Sequence, residues 1–265
     1  MPSGTPVVFI HGLWLHATSW APWVELFREN GYDPIAPGWP GEPDTVEAAR
    51  ANPDAIAGYG ITEVADYYAK IIESLPAKPI LVGHSFGGLL VQNLLAKDLA
   101  AAAVAIDAAP IKGVLSLPIS ALRVAGIALK SPANRNKGVA LTADEFHYGF
   151  GNALTPEESA ELYEKWAIPS PGKPLFEAAL ANFVPHSPAA VDTKNETRGP
   201  LLLTAGGKDH TVPEAVTKSE AKLYRKSPAV TDYIEFADRG HSLTIDHGWR
   251  IVAESSLAWL RDQQL

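Results

Sequence analysis

Short apolar runs alternate with longer stretches of helical periodicity along most of this chain. Six runs are short, apolar and bounded by turn residues, and they predict strands: residues 7–10, 32–36, 79–82, 102–107, 201–205 and 230–236. Periodicity predicts helices at residues 20–30, 63–75, 88–96 and 249–263. Gly31 is expected to end the first helix, and Thr62 to cap the second. Non-alternating strands separated by helices are typical of a parallel sheet covered on both faces, so we predict an α/β fold.

One long segment interrupts this alternation. Between Ala108 and Gly199 no clear strand is predicted, but helical stretches are expected at residues 117–129, 156–166 and 175–183. Roughly ninety residues are too many for a simple crossover between neighbouring strands. We therefore predict an inserted helical cap over the carboxyl edge of the sheet, where open α/β sheets hold their ligands. The predicted core comprises residues 1–110 and 200–265, and the predicted cap comprises residues 111–199.

The segment Gly83-His84-Ser85-Phe86-Gly87 matches G-x-S-x-G, the pattern of a nucleophile elbow. A predicted strand precedes it and a predicted helix follows it. A strand that turns abruptly into a helix strains the residue at the corner, and the flanking glycines let the two backbones approach without side-chain clashes. This context indicates that Ser85 is a nucleophile, presented at the positive end of a helix.

A serine hydroxyl is a weak nucleophile near neutral pH, so it needs a base, and the base needs an orienting acid. His241 is the predicted base, because it lies in the loop between the last strand and the last helix. Asp209 is the predicted acid, because it follows a strand in a glycine-containing loop and completes the chain order Ser, Asp, His. Asp107, which ends the preceding strand, competes for this role; its simpler interpretation is a carboxylate that caps a loop.

The reaction also needs two backbone N–H groups where negative charge develops on the substrate. We expect these oxyanion donors to be Phe86, which follows the nucleophile, and Leu13, in the loop that Gly12 lets turn after the first strand. Residues expected along the substrate pocket are Trp14, His84, Phe146, Tyr148 and Phe183.

Composition and net charge argue against several classes of function. The chain has 265 residues, 46% apolar and 20% charged, which suits one globular domain with a large core. It has no cysteine, and no ligand cluster suggests a metal or an organic cofactor, so we expect neither. A net charge of −8 argues against a nucleic-acid partner. Residues 1–6 do not resemble a signal peptide and no run has the length of a membrane helix, so we predict a cytoplasmic protein without integral membrane association.

Four motifs, in this order, resemble the landmarks of the α/β-hydrolase fold superfamily: His11-Gly12, the elbow extended to Gly88, Gly-Lys-Asp-His-Thr-Val-Pro at residues 207–213, and Gly-His-Ser at 240–242. The resemblance covers nearly the whole chain apart from the cap and implies a serine esterase or lipase-like enzyme. Family members usually have two antiparallel strands before the His-Gly strand. Because only six residues precede Val7, we expect this sheet to lack them.

The expected reaction is hydrolysis of carboxylic esters of small to medium, largely apolar substrates through an acyl-enzyme intermediate. Family members that are haloalkane dehalogenases or epoxide hydrolases use an aspartate nucleophile, so serine at position 85 argues against those reactions. Lactonase, amidase, perhydrolase, C–C hydrolase and hydroxynitrile lyase chemistry remain open, because they fit the same three residues. A ligand-binding protein without turnover and a secreted lipase are further alternatives. The oligomeric state is open.

Overall fold

The computed structural model describes residues 4–116 and 118–265, and a parallel β-sheet forms its centre. The described residues form eight strands: β1 (Pro6–Ile10), β2 (Asp33–Ile35), β3 (Ile80–His84), β4 (Ala102–Ile106), β5 (Gly138–Val139), β6 (Ser170–Pro171), β7 (Leu201–Gly206) and β8 (Thr231–Phe236). Six of them form one sheet in the order β2-β1-β3-β4-β7-β8, and each neighbouring pair is parallel. The strands β5 and β6 form a separate antiparallel pair.

Ten α-helices surround the sheet in the described part of the chain. They are α1 (Ala21–Glu29), α2 (Val46–Ala51), α3 (Ile61–Glu73), α4 (Phe86–Ala96), α5 (Ile119–Leu129), α6 (Ala143–Gly149), α7 (Pro156–Trp166), α8 (Lys173–Ala179), α9 (Glu214–Tyr224) and α10 (Trp249–Asp262). Short 3₁₀ turns cover residues 17–20, 53–56 and 132–136. None of the helices in this part of the chain combines the length and apolar character needed to cross a membrane.

Both faces of the sheet are buried, as the continuous apolar strands require. In β1, Val7 and Phe9 pack into one hydrophobic cluster with α1 and α10, whereas Val8 and Ile10 pack into a second cluster with α3 and α4. The alternation follows from the two-residue period of a strand, whose successive side chains point to opposite faces. The predicted α/β fold with helices on both faces is therefore confirmed. No antiparallel strand joins the six-stranded sheet within the described residues.

The observed elements differ from the predicted ones at several points. Thr62 does not cap α3, because the helix already begins at Ile61 and Glu63 reaches back to accept a hydrogen bond from the Gly60 N–H at 3.1 Å. The helices α2, α6 and α9 were not predicted. In α9, the buried face includes the polar residues Thr217 and Glu220, so the apolar periodicity that marks a helix is interrupted.

The segment between β4 and β7, residues 107–200, contains α5 to α8 and is called the inserted segment below. The prediction that it lacks strands is wrong, because β5 and β6 pair within it. Each of these strands is only two residues long, which is too short to show an apolar pattern in the sequence. The predicted helix start at residue 117 lies outside the described residues, and α5 begins at Ile119.

The inserted segment packs into the same hydrophobic core as the sheet. Its residues Phe146 and Leu162 belong to the buried cluster that also contains Ile10 and Leu89. Its division from the core at residues 110 and 200 stays a prediction.

A fully buried acid lies where α9 packs against α4 and the start of the inserted segment. Glu220 accepts a hydrogen bond from the Ile111 N–H at 3.0 Å through one carboxyl oxygen. Its other carboxyl oxygen has no hydrogen-bond partner among the described residues. Nearby, the Tyr224 hydroxyl donates to the Gln92 side chain at 2.8 Å. Burial raises the pKa of Glu220 from its usual 4.5 to about 8, so the folded protein keeps this carboxyl group protonated at neutral pH.

This pKa predicts that replacing Glu220 by glutamine stabilises the protein increasingly as the pH rises. Between pH 4.5 and 8 the folded state holds a proton that the unfolded state has lost, so wild-type stability falls with pH by up to about 1.4 kcal/mol per unit. Glutamine keeps the acceptor for Ile111 and has no proton to lose. Urea unfolding at pH 5.5, 6.5 and 7.5 should show the advantage of Glu220→Gln growing, and that of Glu161→Gln, at an exposed position, staying constant. A pH-independent difference for both variants would contradict the prediction.

Candidate active site

Ser85 occupies the corner between β3 and α4 in a strained backbone conformation. Its φ of +56° lies in the left-handed region, with ψ at −120°. A non-glycine residue is held there only by strong surrounding constraints. The Ser85 N–H donates to the Ile106 carbonyl oxygen at 2.9 Å, which ties the corner to β4.

Glycines make the corner possible because the backbones around it almost touch. A Cβ atom on Gly83 would lie 2.2 Å from the Gly87 carbonyl oxygen, and one on Gly87 would lie 2.0 Å from the Ile10 carbonyl oxygen. A Cβ atom on Gly12 would lie 2.6 Å from the Ser85 Cβ. Real Cβ contacts do not become this short, so any side chain at these positions would push the elbow away from β1 and the loop that follows it.

The predicted base and acid are joined by a short hydrogen bond. His241 Nδ1 lies 2.6 Å from Asp209 Oδ2, and both side chains are fully buried. The other Asp209 oxygen accepts hydrogen bonds from the N–H groups of Thr211 at 2.6 Å and Val212 at 2.8 Å. Burial opposes ionisation of Asp209, but the His241 ring and these hydrogen bonds outweigh it and lower the pKa of Asp209. Asp209 is therefore a carboxylate, and His241 directs its Nδ1 proton toward it.

The second nitrogen of His241 differs from the first in its contacts. The Nε2 atom is buried and makes no hydrogen bond within the described part of the chain. Because Nδ1 holds its proton against Asp209, a neutral His241 ring has its lone pair at Nε2. That is the tautomer a general base needs. The ring is fixed by His84, whose Nε2 lies 2.9 Å from the His241 carbonyl oxygen, and by Phe150, whose ring centroid is 4.7 Å away.

Asp107, the competing acid, lies beside Asp209. It is fully buried at the end of β4, has a φ of +43°, and accepts a hydrogen bond from the Gly206 N–H at 2.9 Å. Burial and the neighbouring negative charge of Asp209 raise the pKa of Asp107 well above its usual range. Of two adjacent buried carboxyl groups only one ionises readily, and here the ionised one is Asp209. His241 therefore pairs with the carboxylate, and the role of each acid in a reaction stays a prediction.

Asp107, Asp209 and His241 each offer a ligand atom within 4.8 Å of the others, so we considered a metal ion there. Zinc bound at about 2.0 to 2.2 Å by two ligands in a tetrahedral arrangement would hold them well over 3 Å apart. The His241 and Asp209 atoms are only 2.6 Å apart. This spacing fits a shared proton rather than a shared ion.

The two predicted oxyanion donors belong to the elbow and to the first loop, which approach each other closely where Gly12 meets Ser85. Phe86 is the first residue of α4, where a backbone N–H has no partner within the helix. The Leu13 N–H follows Gly12 and donates no hydrogen bond within the described residues. Both residues are buried. Their assignment as donors stays a prediction.

The predicted pocket residues separate into two groups. Trp14 and Phe146 are buried near the site: Phe146 stacks on Phe150 at 4.9 Å, and Phe150 contacts both His241 and Trp14. Phe150 was among the aromatic residues that could line an apolar pocket but was not one of the five expected pocket residues, although its spacing of four from Phe146 indicates a shared helix face.

The remaining three predicted pocket residues lie elsewhere. His84 is buried and packs against the His241 ring, with ring centroids 4.5 Å apart. Tyr148 packs against His210 and under the Arg123 guanidinium, 3.8 Å from its ring centroid. Phe183 corrects our expectation most clearly: its side chain is 82% exposed on the outside of the inserted segment. Neither the spacing of the aromatic residues nor the composition distinguishes the buried side chains of the inserted segment from the exposed ones.

The inserted segment is hydrogen-bonded to the first loop. Ser85 is only 4% exposed. Trp14 has a φ of +66°; its carbonyl oxygen accepts from the Ile168 N–H at 3.0 Å and its indole N–H donates to the Val139 carbonyl oxygen at 2.9 Å. The Trp14 N–H donates to the Ser170 hydroxyl. The pair β5–β6, which the sequence did not predict, thus lies against the loop that carries the predicted oxyanion donor.

Comparisons with known proteins agree with this architecture. The model of the alpha/beta hydrolase family matches residues 7–255, and the chain belongs to that family. No curated protein sequence matches the chain.

Solved structures with low sequence identity share the fold. A monoacylglycerol lipase from Paleococcus ferrophilus is 21% identical with a TM-score of 0.66, covering 98% of this chain and 97% of its own. A thermophilic esterase from Thermogutta terrifontis is 20% identical with a TM-score of 0.70, covering 99% and 92%. An extracellular alpha/beta-hydrolase from a Paenibacillus species is 19% identical with a TM-score of 0.68, covering 96% and 98%.

The close backbone contact at the elbow predicts opposite effects for two glycine substitutions. Gly87→Ala should destabilise the protein by about 2 kcal/mol or more, or prevent folding, because its Cβ would overlap the Ile10 carbonyl oxygen. Gly126→Ala is the matched control in α5, where nothing lies within 4 Å of the added Cβ. It should leave stability unchanged or raise it by up to about 1 kcal/mol. Thermal unfolding followed by circular dichroism measures both. Equal melting temperatures for the two variants would contradict the packing argument.

Proposed function

We propose that this protein is a serine hydrolase that cleaves carboxylic esters of small to medium, largely apolar substrates. The observation that carries the proposal is the state of His241: its Nδ1 is bonded to the Asp209 carboxylate, and its buried Nε2 has no hydrogen-bond partner among the described residues. A histidine arranged in this way serves as a general base when a nucleophile lies next to it. Ser85 follows His84, whose ring packs against that of His241, and in this proposal it supplies the nucleophile from the strained elbow.

In the proposed mechanism, His241 removes the proton of Ser85 as the serine oxygen attacks the ester carbonyl carbon. Asp209 stabilises the imidazolium that forms, while the N–H groups of Leu13 and Phe86 bind the oxyanion. His241 then donates the proton to the departing alcohol, which leaves an acyl group on Ser85. Water, deprotonated by His241, hydrolyses this acyl-enzyme and regenerates the serine.

The substrate class is inferred from the side chains around the serine. Trp14, Phe146 and Phe150 are buried, and Phe150 packs against the other two and against the His241 ring, an apolar surrounding that suits an uncharged acyl group. Because Ser85 is only 4% exposed, we expect a substrate to reach the serine only after a local movement. The similarity to proteins described as a lipase and an esterase supports hydrolysis of an ester and does not define its acyl group.

The proposal predicts hydrolysis of p-nitrophenyl esters that depends on Ser85. Wild-type protein should release p-nitrophenol from acetate through decanoate esters, and Ser85→Ala should reduce kcat by about a thousand-fold or more. Ser255→Ala, at a half-buried position of α10, is the matched control and should retain full activity. The preferred chain length reports the size of the pocket. Absence of turnover on every ester by folded protein would reject the esterase assignment.

The two buried acids should respond differently to the same substitution. Asp209→Asn should reduce kcat by about a thousand-fold or more, because an amide does not stabilise the His241 imidazolium and favours the wrong tautomer. Asp107→Asn should retain most of the activity, because Asp107 is already uncharged in the folded protein. Its amide also keeps an acceptor for Gly206. Steady-state kinetics on one ester separates the two, and a larger loss for Asp107→Asn would reverse the assignment of the acid.

A further inference from the structure

A buried ion pair lies directly behind the loop that carries Leu13. His11 Nε2 is 2.9 Å from Glu42 Oε2, and the two side chains are only 4% and 3% exposed. The other Glu42 oxygen accepts a hydrogen bond from the Ala17 N–H at 3.0 Å and lies 3.6 Å from His16 Nε2. One carboxylate thus contacts both ends of the loop from residue 11 to residue 17.

The contacts of His11 require a proton on each ring nitrogen. Its Nδ1 lies 2.8 Å from the Gly12 carbonyl oxygen, which can only accept a hydrogen bond. Its Nε2 faces Glu42. Burial opposes ionisation of Glu42, but His11 and the Ala17 N–H outweigh it and lower the pKa of Glu42, so the carboxyl group is ionised and also only accepts. Both nitrogens of His11 therefore face acceptors, which favours the imidazolium: Nδ1 donates to the Gly12 carbonyl oxygen, and Nε2 lies at ion-pair distance from Glu42.

His16 differs, and the difference excludes it as the main partner of Glu42. Its Nε2 lies 2.9 Å from the Pro43 carbonyl oxygen, so that nitrogen holds a proton. Its Nδ1 accepts a hydrogen bond from the Thr18 N–H at 3.2 Å, so that nitrogen holds none. His16 is a neutral ring, and the positive charge opposite Glu42 belongs to His11.

The Gly12 carbonyl and the Leu13 N–H belong to one peptide group. This peptide is trans, so its C=O and N–H point in opposite directions, and a donor fixed on the oxygen orients the N–H. A hydrogen bond from a charged donor to the oxygen also polarises the peptide and makes its N–H a stronger donor. We propose that Glu42 and His11 form a positioning pair that aims and strengthens the Leu13 N–H as an oxyanion donor.

This inference rests on the proposed function in one respect only, the use of the Leu13 N–H to bind an oxyanion. Neither Glu42 nor His11 touches the reacting atoms, so both act through the Gly12–Leu13 peptide. Such a pair should affect the rate of the chemical step more than substrate binding, because the oxyanion exists only in the transition state and the tetrahedral intermediate.

The test replaces Glu42 by glutamine in the full-length chain. Glutamine has nearly the same shape; it keeps an oxygen for Ala17 and turns an NH₂ group toward His11 Nε2, which would then lose its proton. With p-nitrophenyl butyrate, Glu42→Gln should reduce kcat about ten-fold and change KM less than about two-fold. Glu25→Gln is the matched control, because Glu25 lies nearby on α1 in an exposed ion pair with Arg28. It should behave as wild type.

Nuclear magnetic resonance of ¹⁵N-labelled protein gives a readout that needs no turnover. In wild type both His11 nitrogens should show the shifts of protonated imidazolium. In Glu42→Gln the Nε2 shift should move to that of an unprotonated nitrogen, and the Leu13 amide proton should move upfield. A singly protonated His11 in wild type would overturn the proposal without any variant.

The outcomes separate this inference from the proposed function. If Ser85→Ala abolishes ester turnover but Glu42→Gln leaves kcat unchanged, the positioning pair is wrong and the esterase assignment stands. If wild type hydrolyses no ester, the esterase assignment fails, and the His11 and Leu13 spectra still decide whether the pair polarises the peptide.

Discussion

The arrangement of this site depends on the close approach of the α4 backbone to the end of β1. The Gly87 position leaves no space for a Cβ atom beside the Ile10 carbonyl oxygen, and Gly12 leaves none beside Ser85. These contacts place the first turn of α4 and the first loop on either side of the serine. The strain at Ser85 persists because the packed sheet below it and the hydrogen bond to Ile106 hold the corner in place.

Buried charge around this corner is arranged so that each carboxylate has a partner. Asp209 is ionised against His241 while its neighbour Asp107 keeps a proton, and Glu42 is ionised against His11. An unpaired charge at this depth would cost several kcal/mol. The protonation of each group therefore follows from its contacts, which leave the His241 Nε2 atom without a hydrogen-bond partner among the described residues.

The sequence predicted the parts of this structure that depend on local pattern. The strands showed as apolar runs, and the elbow, Asp209 and His241 occurred in motifs with characteristic neighbours, which placed them at the carboxyl edge of the sheet. The sequence could not predict Glu42, because a single acid in a loop has no pattern until folding brings His11 beside it. The sequence also wrongly indicated that Phe183 lines the pocket, whereas its side chain is exposed. Which side chains of the inserted segment are buried depends on how its helices pack on the core and not on their own periodicity.

The inserted segment and the first loop cannot move independently. The carbonyl oxygen, N–H and indole of Trp14 all bond to the segment, and the His16 N–H donates to the Trp166 carbonyl oxygen at 3.0 Å. A displacement that uncovers Ser85 must either break these four hydrogen bonds or carry the loop with it. In the second case the Leu13 N–H would shift with the loop. The contacts of Glu42 with His11 and Ala17 hold both ends of the loop without involving the inserted segment, so they limit such movement and leave Trp14, in the middle of the loop, to follow the segment.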